Sequence, residues 1–155
     1  MKAVLQRVTR ASVSIDGETV GECSNGLMIL LGVAEGDTEK DAEMLADKII
    51  KLRIFQDENG KMNRSVKDIE GQMLIVSQFT LLANYRCGNR PDFLASAHPD
   101  VADKLYEYFT AYMRSAGFTV ATGRFGADMQ VSLVNDGPVT IVMDTDVLKA
   151  TKKPK

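Results

Sequence analysis

The chain has 155 residues, 45% hydrophobic and 26% charged, with 19 basic and 21 acidic side chains and a net charge of −2. At roughly 150 residues per domain this predicts one globular domain with its own core. It excludes a disordered, collagen-like or disulfide-scaffold chain. Bulk positive charge is not available to hold nucleic acid, so any such contact must come from local patches. No apolar stretch approaches the ~20 residues that span a bilayer. Charge arrives at Lys2 and Arg7, too early for a signal-peptide apolar region. A cytoplasmic protein with no membrane partner is expected. Cys23 and Cys87 form no CxxC pair and no metal-ligand cluster with the single histidine, His98. Two free thiols and no metal or cofactor follow as expectations.

In chain order, Ala3 to Ile15 is valine-rich and loosely alternating, which predicts a long strand. Asp16-Gly17 is a hairpin signal, Glu18 to Glu22 the returning strand, and Asn25-Gly26 a second turn. Leu27 to Val33 is a buried strand. Asp37 or Thr38 caps a helix whose apolar stripe is Ala42, Leu45, Ala46, Ile49 and Leu52. Arg53 to Gln56 is a short strand ended by Asp57 to Gly60. Gln72 to Leu82 is the most apolar strand-like stretch, and Asn84 to Pro91 is a polar loop. His98-Pro99-Asp100 opens a second helix with core residues Ala102, Leu105, Phe109, Tyr112 and Met113, stopped at Gly117. Phe118 to Thr122, Asp128 to Val134 and Val139 to Asp144 are strands, the last two joined by a tight turn at Asn135 to Pro138. The order predicts an α+β fold of mixed, mostly antiparallel sheets under two main covering helices. Residues 1–148 make a single domain, and 149–155 a basic tail.

The common catalytic kits are missing from the sequence. It has no G-x-S-x-G elbow, P-loop, H-E-x-x-H or strand-borne G-x-G-x-x-G. His98 precedes a proline at a helix start, where capping suffices to explain it. Two segments stand out instead. Ser77-Gln78-Phe79-Thr80-Leu81 places polar groups at the end of an apolar strand. Such groups are either paired strand-end residues or a binding rim. Asn135-Asp136-Gly137-Pro138-Val139-Thr140 read alone is a turn.

Taken together, these segments carry a resemblance. With Gln6-Arg7-Val8-Thr9-Arg10-Ala11-Ser12-Val13, Arg53-Ile54-Phe55, Gly88-Asn89-Arg90-Pro91, Thr122-Gly123-Arg124-Phe125 and Asp128-Met129-Gln130-Val131, the chain resembles the D-aminoacyl-tRNA deacylases over nearly its whole length. The resemblance implies that family's barrel-like or sandwich fold and a homodimer with active sites at the subunit interface. Ser77, Gln78, Phe79 and Thr80 would form the pocket for the aminoacylated 3′ adenosine of tRNA. Gly137 and Pro138 of the partner, joined by a cis bond, would be the chiral filter, with Arg7 locking their orientation. Phe125 and Met129 match positions lining the adenine pocket, although alone they read as core. Backbone N–H groups of Phe79 and Thr80 would hold the ester carbonyl, or the Thr80 hydroxyl would act as nucleophile. Lys2, Arg10, Arg86, Arg90, Arg124 and the lysine tail are candidates for phosphate contacts, the tail reading better as solvated charge, and no DNA partner is expected. The loop Leu82 to Cys87, and Asp92 where a serine is common, depart from the family's pattern. A non-catalytic module for aminoacyl-tRNA or adenosine, and a small-ester hydrolase using Thr80 or Ser77, stay open as alternatives.

Overall fold

A computed structural model describes residues 1–150. Strand β1 (Lys2–Ile15) is the spine. Along one side it pairs antiparallel with β3 (Gly26–Gly32) and then β2 (Glu18–Cys23). Along the other it pairs antiparallel with β8 (Gln130–Asp144). Parallel pairing adds β6 (Gln72–Ser77) to β3 and β7 (Val120–Thr122) to β6. The sheet is therefore mixed, as expected. Two short strands, β4 (Phe55–Gln56) and β5 (Met62–Arg64), make a separate hairpin, and β5 has no counterpart in the sequence reading.

Both faces of the sheet are apolar, so it must be covered twice. Leu5, Leu27, Ile29, Leu31, Met73 and Ile75 pack under helices α1 (Glu39–Lys51) and α2 (Pro99–Ser115), against Leu45, Ile49, Phe109 and Met113. The alternate residues Met28, Leu74 and Val76 meet Val8, Ala11 and Val13 in a second core. The sheet covers this core by curling on itself. A β-carbon on Gly21 of β2 would lie 2.5 Å from the Thr122 carbonyl oxygen of β7, so glycine lets the two ends of the sheet path touch. The result is a nearly closed, barrel-like sheet with two main helices on its outside.

The helices start where their caps predict. The Thr38 N–H donates to Asp41 Oδ2 at 2.8 Å before α1, and His98 caps α2 ahead of Pro99. A third, short helix was not expected. In α3 (Thr145–Lys149) the Thr145 N–H donates to the Met1 carbonyl at 2.9 Å, and Lys149 pairs with the buried Asp41 carboxylate. The helix thus takes Lys149 out of the expected tail; residues 151–155 of that tail lie outside the described residues.

Two further expectations are corrected. The strand read over Gln72 to Leu82 stops at Ser77, and Phe79–Leu82 is one turn of 3-10 helix. Its leucines are apolar because the turn folds back over the sheet end, not because the strand continues. Leu82 is buried there, and a β-carbon on Gly32 would come within 2.7 Å of it. The tight turn read at Asn135 to Pro138 does not join two strands. Both flanks belong to β8 and pair with the same neighbour, β1.

Candidate active site

Ser77 ends β6, and the Gln78 N–H makes one more bond across the sheet, to Leu31 O at 2.8 Å. The chain then coils into the 3-10 turn, whose first N–H groups have no carbonyl behind them. Those of Phe79 and Thr80 meet no acceptor among the described residues, whereas Leu81 N–H bonds to Gln78 O and Ala83 N–H to Thr80 O. The free pair stands beside a cleft of about 760 Å³ whose wall includes Ser77, Gln78, Phe79, Phe93, Phe125 and Met129. Phe79 is half exposed and meets Phe93 edge to face at 5.0 Å between ring centroids. Thr80 is exposed, does not line the cleft, and its hydroxyl accepts from the Gln78 amide.

Phe125 and Met129 serve the core and the cleft at once. Met129 packs on the second core, seated over Gly123, where a β-carbon would meet its sulfur at 2.4 Å. Phe125 packs on the main core beside Tyr106, with ring centroids 6.3 Å apart. The Tyr106 hydroxyl donates to Ile75 O at 2.7 Å, and burial pushes its pKa up to about 12. A neutral, tied phenol therefore holds that wall rigid. His98 lines the same cleft, but its Nδ1 accepts the Asp100 N–H at 3.3 Å as the α2 cap. Among the described residues no cluster of histidine, cysteine or carboxylate side chains could hold a metal ion.

Gly137 and Pro138 lie elsewhere in the chain. Val8 pairs with Asn135 and Gln6 with Thr140, so β8 spends five steps where β1 spends two. The surplus, Asp136 to Val139, arches out as a bulge with Gly137 and Pro138 exposed at its crest and the bond between them cis. The bulge is tied from below. Arg7, 5% exposed, donates from Nε to Asp136 O and from Nη1 to Ile54 O, each at 2.8 Å. Without Arg7 the Ile54 carbonyl would be left unmet, at a cost of about 1–3 kcal/mol. Asn135 closes the bulge by accepting the Val139 N–H at 3.0 Å and donating to Thr140 Oγ1 at 3.1 Å. Val139 is buried and anchors the far side. Gly137 has φ +142, and a β-carbon there would lie 2.9 Å from Val139 N and 3.1 Å from Arg7 Nη2. Only glycine fits this crest without displacement.

The sheet register separates the two regions within one chain. The 3-10 turn packs at Gly32, opposite Lys2, whereas Arg7 pairs with Leu27. Five ladder steps amount to about 17 Å. The cleft residues Ser77, Gln78, Phe79, Phe125 and Met129 are thus brought together, and Arg7, Gly137 and Pro138 form a second group apart from them. Sequence reasoning missed Asn135 and the Ile54 carbonyl as structural partners of the bulge. The asparagine just ahead of Gly-Pro was the available signal, because its short amide readily bonds nearby backbone. For the carbonyl there was none.

Comparisons with known proteins bear on the family and the fold. Residues 4–144 match the family model described as D-Tyr-tRNA(Tyr) deacylase. Curated proteins named D-aminoacyl-tRNA deacylase match over 145 residues: 60% identical in Dehalococcoides mccartyi, covering 94% of this chain and 95% of that protein, and 57% in Thermosipho africanus, covering 94% and 97%. A solved structure titled c-Myc DNA Unwinding Element Binding Protein has TM-score 0.88 at 43% identity, over 93% of this chain and 98% of the other. A probable eukaryotic D-amino acid tRNA deacylase shares the fold at TM-score 0.77 and 18% identity, over 92% of this chain and 97% of the other. With nearly every residue from the first strand to the last inside these matches, the chain belongs to the D-Tyr-tRNA(Tyr) deacylase family.

Proposed function

We propose that the protein hydrolyses the ester joining a D-amino acid to the 3′ end of tRNA, releasing both. The names of its relatives support the reaction. The observation that carries its chemistry is the free N–H pair of Phe79 and Thr80, in the turn whose first residue, Phe79, lines the cleft. An aminoacyl ester is already reactive, so fixed donors aimed at the developing oxyanion, plus positioning, can supply much of the acceleration. Water attacks the carbonyl carbon and the tetrahedral oxyanion rests on the two N–H groups. The carbon–oxygen bond to ribose then breaks, and the ribose oxygen takes up a proton. The neighbouring ribose 2′-OH assists the water. The position of Thr80 outside the cleft lining supports this version over a threonine nucleophile.

Chirality is read by exclusion in a homodimer. The Gly137-Pro138 crest of one subunit enters the cleft of the other, so that its backbone carbonyl faces the substrate Cα and leaves room only for hydrogen on that side. An L side chain clashes; a D side chain points away. Support comes from the exposure of the crest, the clamp beneath it and its separation from the cleft in one chain. The filter does not see which side chain is present, and it does not reject glycine, which has none.

The test is deacylation of D-tyrosyl-, L-tyrosyl- and glycyl-tRNA side by side. Loss of the D and glycyl esters with the L ester spared is expected. If all three survive, the binding-module alternative replaces this reading. If the L ester is cleaved as fast as the D, the filter argument is wrong.

A further inference from the structure

Directly after the 3-10 turn the chain leaves the cleft wall, makes a loop, and returns to the wall at Phe93 and Leu94. The neck of the loop is pinned. The Asn84 N–H donates to Asp92 O at 2.8 Å, the Asp92 N–H to Asn84 O at 3.0 Å, and the Asn84 side chain to Asp92 Oδ2 at 3.1 Å. The other Asp92 oxygen accepts the Leu94 N–H at 3.2 Å. The neck carboxylate is therefore occupied, and residues 85–91 contain no other acid. They hold Tyr85, 80% exposed, with Arg86 and Arg90, both exposed and in no ion pair among the described residues. Gly88, at φ +74, turns the tip.

We infer that this loop is the docking finger for the single-stranded RNA just upstream of the 3′ adenosine, with Tyr85 stacking on a base and Arg86 and Arg90 meeting phosphates. The inference rests on the proposed reaction, which puts a polynucleotide end in the cleft. The next nucleotides must leave the cleft, and this loop springs from its wall, between the 3-10 turn and Phe93. An exposed aromatic in one short loop with two unpaired guanidinium groups, and with no free carboxylate, suits an RNA single strand, which offers aromatic faces and negative charge along its length. It also gives an acidic protein a local contact for tRNA: two arginines with no neighbouring free carboxylate in one short loop.

The loop carries its own reporter. Cys87 is exposed, whereas Cys23 is buried and burial pushes its thiol up to about 11, so mild alkylation with N-ethylmaleimide reads Cys87 alone. Uncharged full-length tRNA should slow Cys87 alkylation about tenfold or more, and adenosine monophosphate should not. The variant Tyr85→Ala/Arg86→Gln/Arg90→Gln should raise KM for D-tyrosyl-tRNA at least ~10-fold and leave hydrolysis of 3′-O-D-tyrosyl-adenosine unchanged. It should also lower the slope of log KM against log salt by about 0.7 for each arginine lost, a readout that a merely structural loop would not move. The inference is overturned if tRNA leaves Cys87 alkylation at its free rate, if both substrates slow equally, or if the salt slope is unchanged. A wild-type enzyme that hydrolyses neither substrate would sink the deacylase reading instead. Protection of Cys87 by tRNA would then still uphold the docking finger, and lack of protection would overturn it.

Discussion

The cleft end of β6 and the bulge of β8 are built on opposite plans. At the cleft the chain stops bonding to itself: two N–H groups are free, Phe79 is half exposed, and one turn of 3-10 helix replaces the strand. At the bulge the chain over-bonds itself. A buried arginine, an asparagine amide and a core valine fix four residues that no neighbouring strand pairs. One region is a socket with unmet donors; the other is a projection whose Asp136 carbonyl and Val139 N–H are tied beneath its crest. On the proposed reading the socket stabilises charge and the projection excludes the wrong enantiomer, with about 17 Å of ladder between them in one chain.

Damage to both regions gives the most severe test of this division. Gly137→Ala puts a methyl group against Arg7 and Val139 at φ +142 and re-aims the crest. Phe79→Pro removes one free N–H at the first residue of the helical turn, a position that accepts proline. Each variant should lose at least ~100-fold in D-tyrosyl-tRNA hydrolysis, the usual loss for one oxyanion donor. Each should also keep a cooperative thermal unfolding transition, because neither change lies in the core. If socket and projection belong to different subunits, dead plus dead is not dead. Co-refolded one to one, about half the dimers would be mixed, each with one intact site of two, giving about a quarter of wild-type activity. No recovery in the mixture would place both parts of the site in one chain and break the comparison.

Much of this arrangement is legible in the sequence, for separable reasons. Caps and helical spacing located α1 and α2, because Thr38, His98-Pro99 and the leucine and alanine stripes act within a few residues of themselves. Ser77 to Leu81 was visible as polar chemistry at the end of an apolar strand, whereas Asn135 to Thr140, alone a turn, gained meaning only through the resemblance. What stayed hidden was tertiary. Leu81 and Leu82 look like more strand, since nothing local says that Gly32 leaves room for a turn above it. Asn135 to Pro138 looks like a hairpin turn, since only the register against β1 shows both flanks on one neighbour. The second guanidinium bond of Arg7 goes to a backbone carbonyl, which every residue has. Helix α3 is too short to show a stripe and rests on Met1 and Asp41, more than a hundred residues away.

Thr80 sharpens the comparison at intermediate effect. If the socket works through backbone N–H groups, Thr80→Ala keeps both donors and loses only the hydroxyl that Gln78 engages. A fall of less than about tenfold in single-turnover rate is expected, below the 10²–10³ that a lost oxyanion donor costs. Complete loss in a normally folded variant would move the chemistry onto the hydroxyl.

His98 should show the smallest effect, and that is what makes it informative. It is the only histidine in the chain and it lines the cleft, so any general-base mechanism in which imidazole takes a proton must use it. Its observed work is different: Nδ1 accepts the Asp100 N–H and starts α2. Asparagine is as good a helix cap but has no titratable ring, so His98→Asn separates the two roles without removing the cap. The expected result is a rate within about threefold of wild type and an unchanged pH profile, since general-base catalysis typically supplies 10²–10⁴-fold and its loss would be unmistakable. A hundredfold fall, or disappearance of a limb of the pH profile, would mean that the socket takes its proton acceptor from α2. The free N–H pair would then be only half of the chemistry, and the socket would extend across the cleft to the helix that otherwise only walls it.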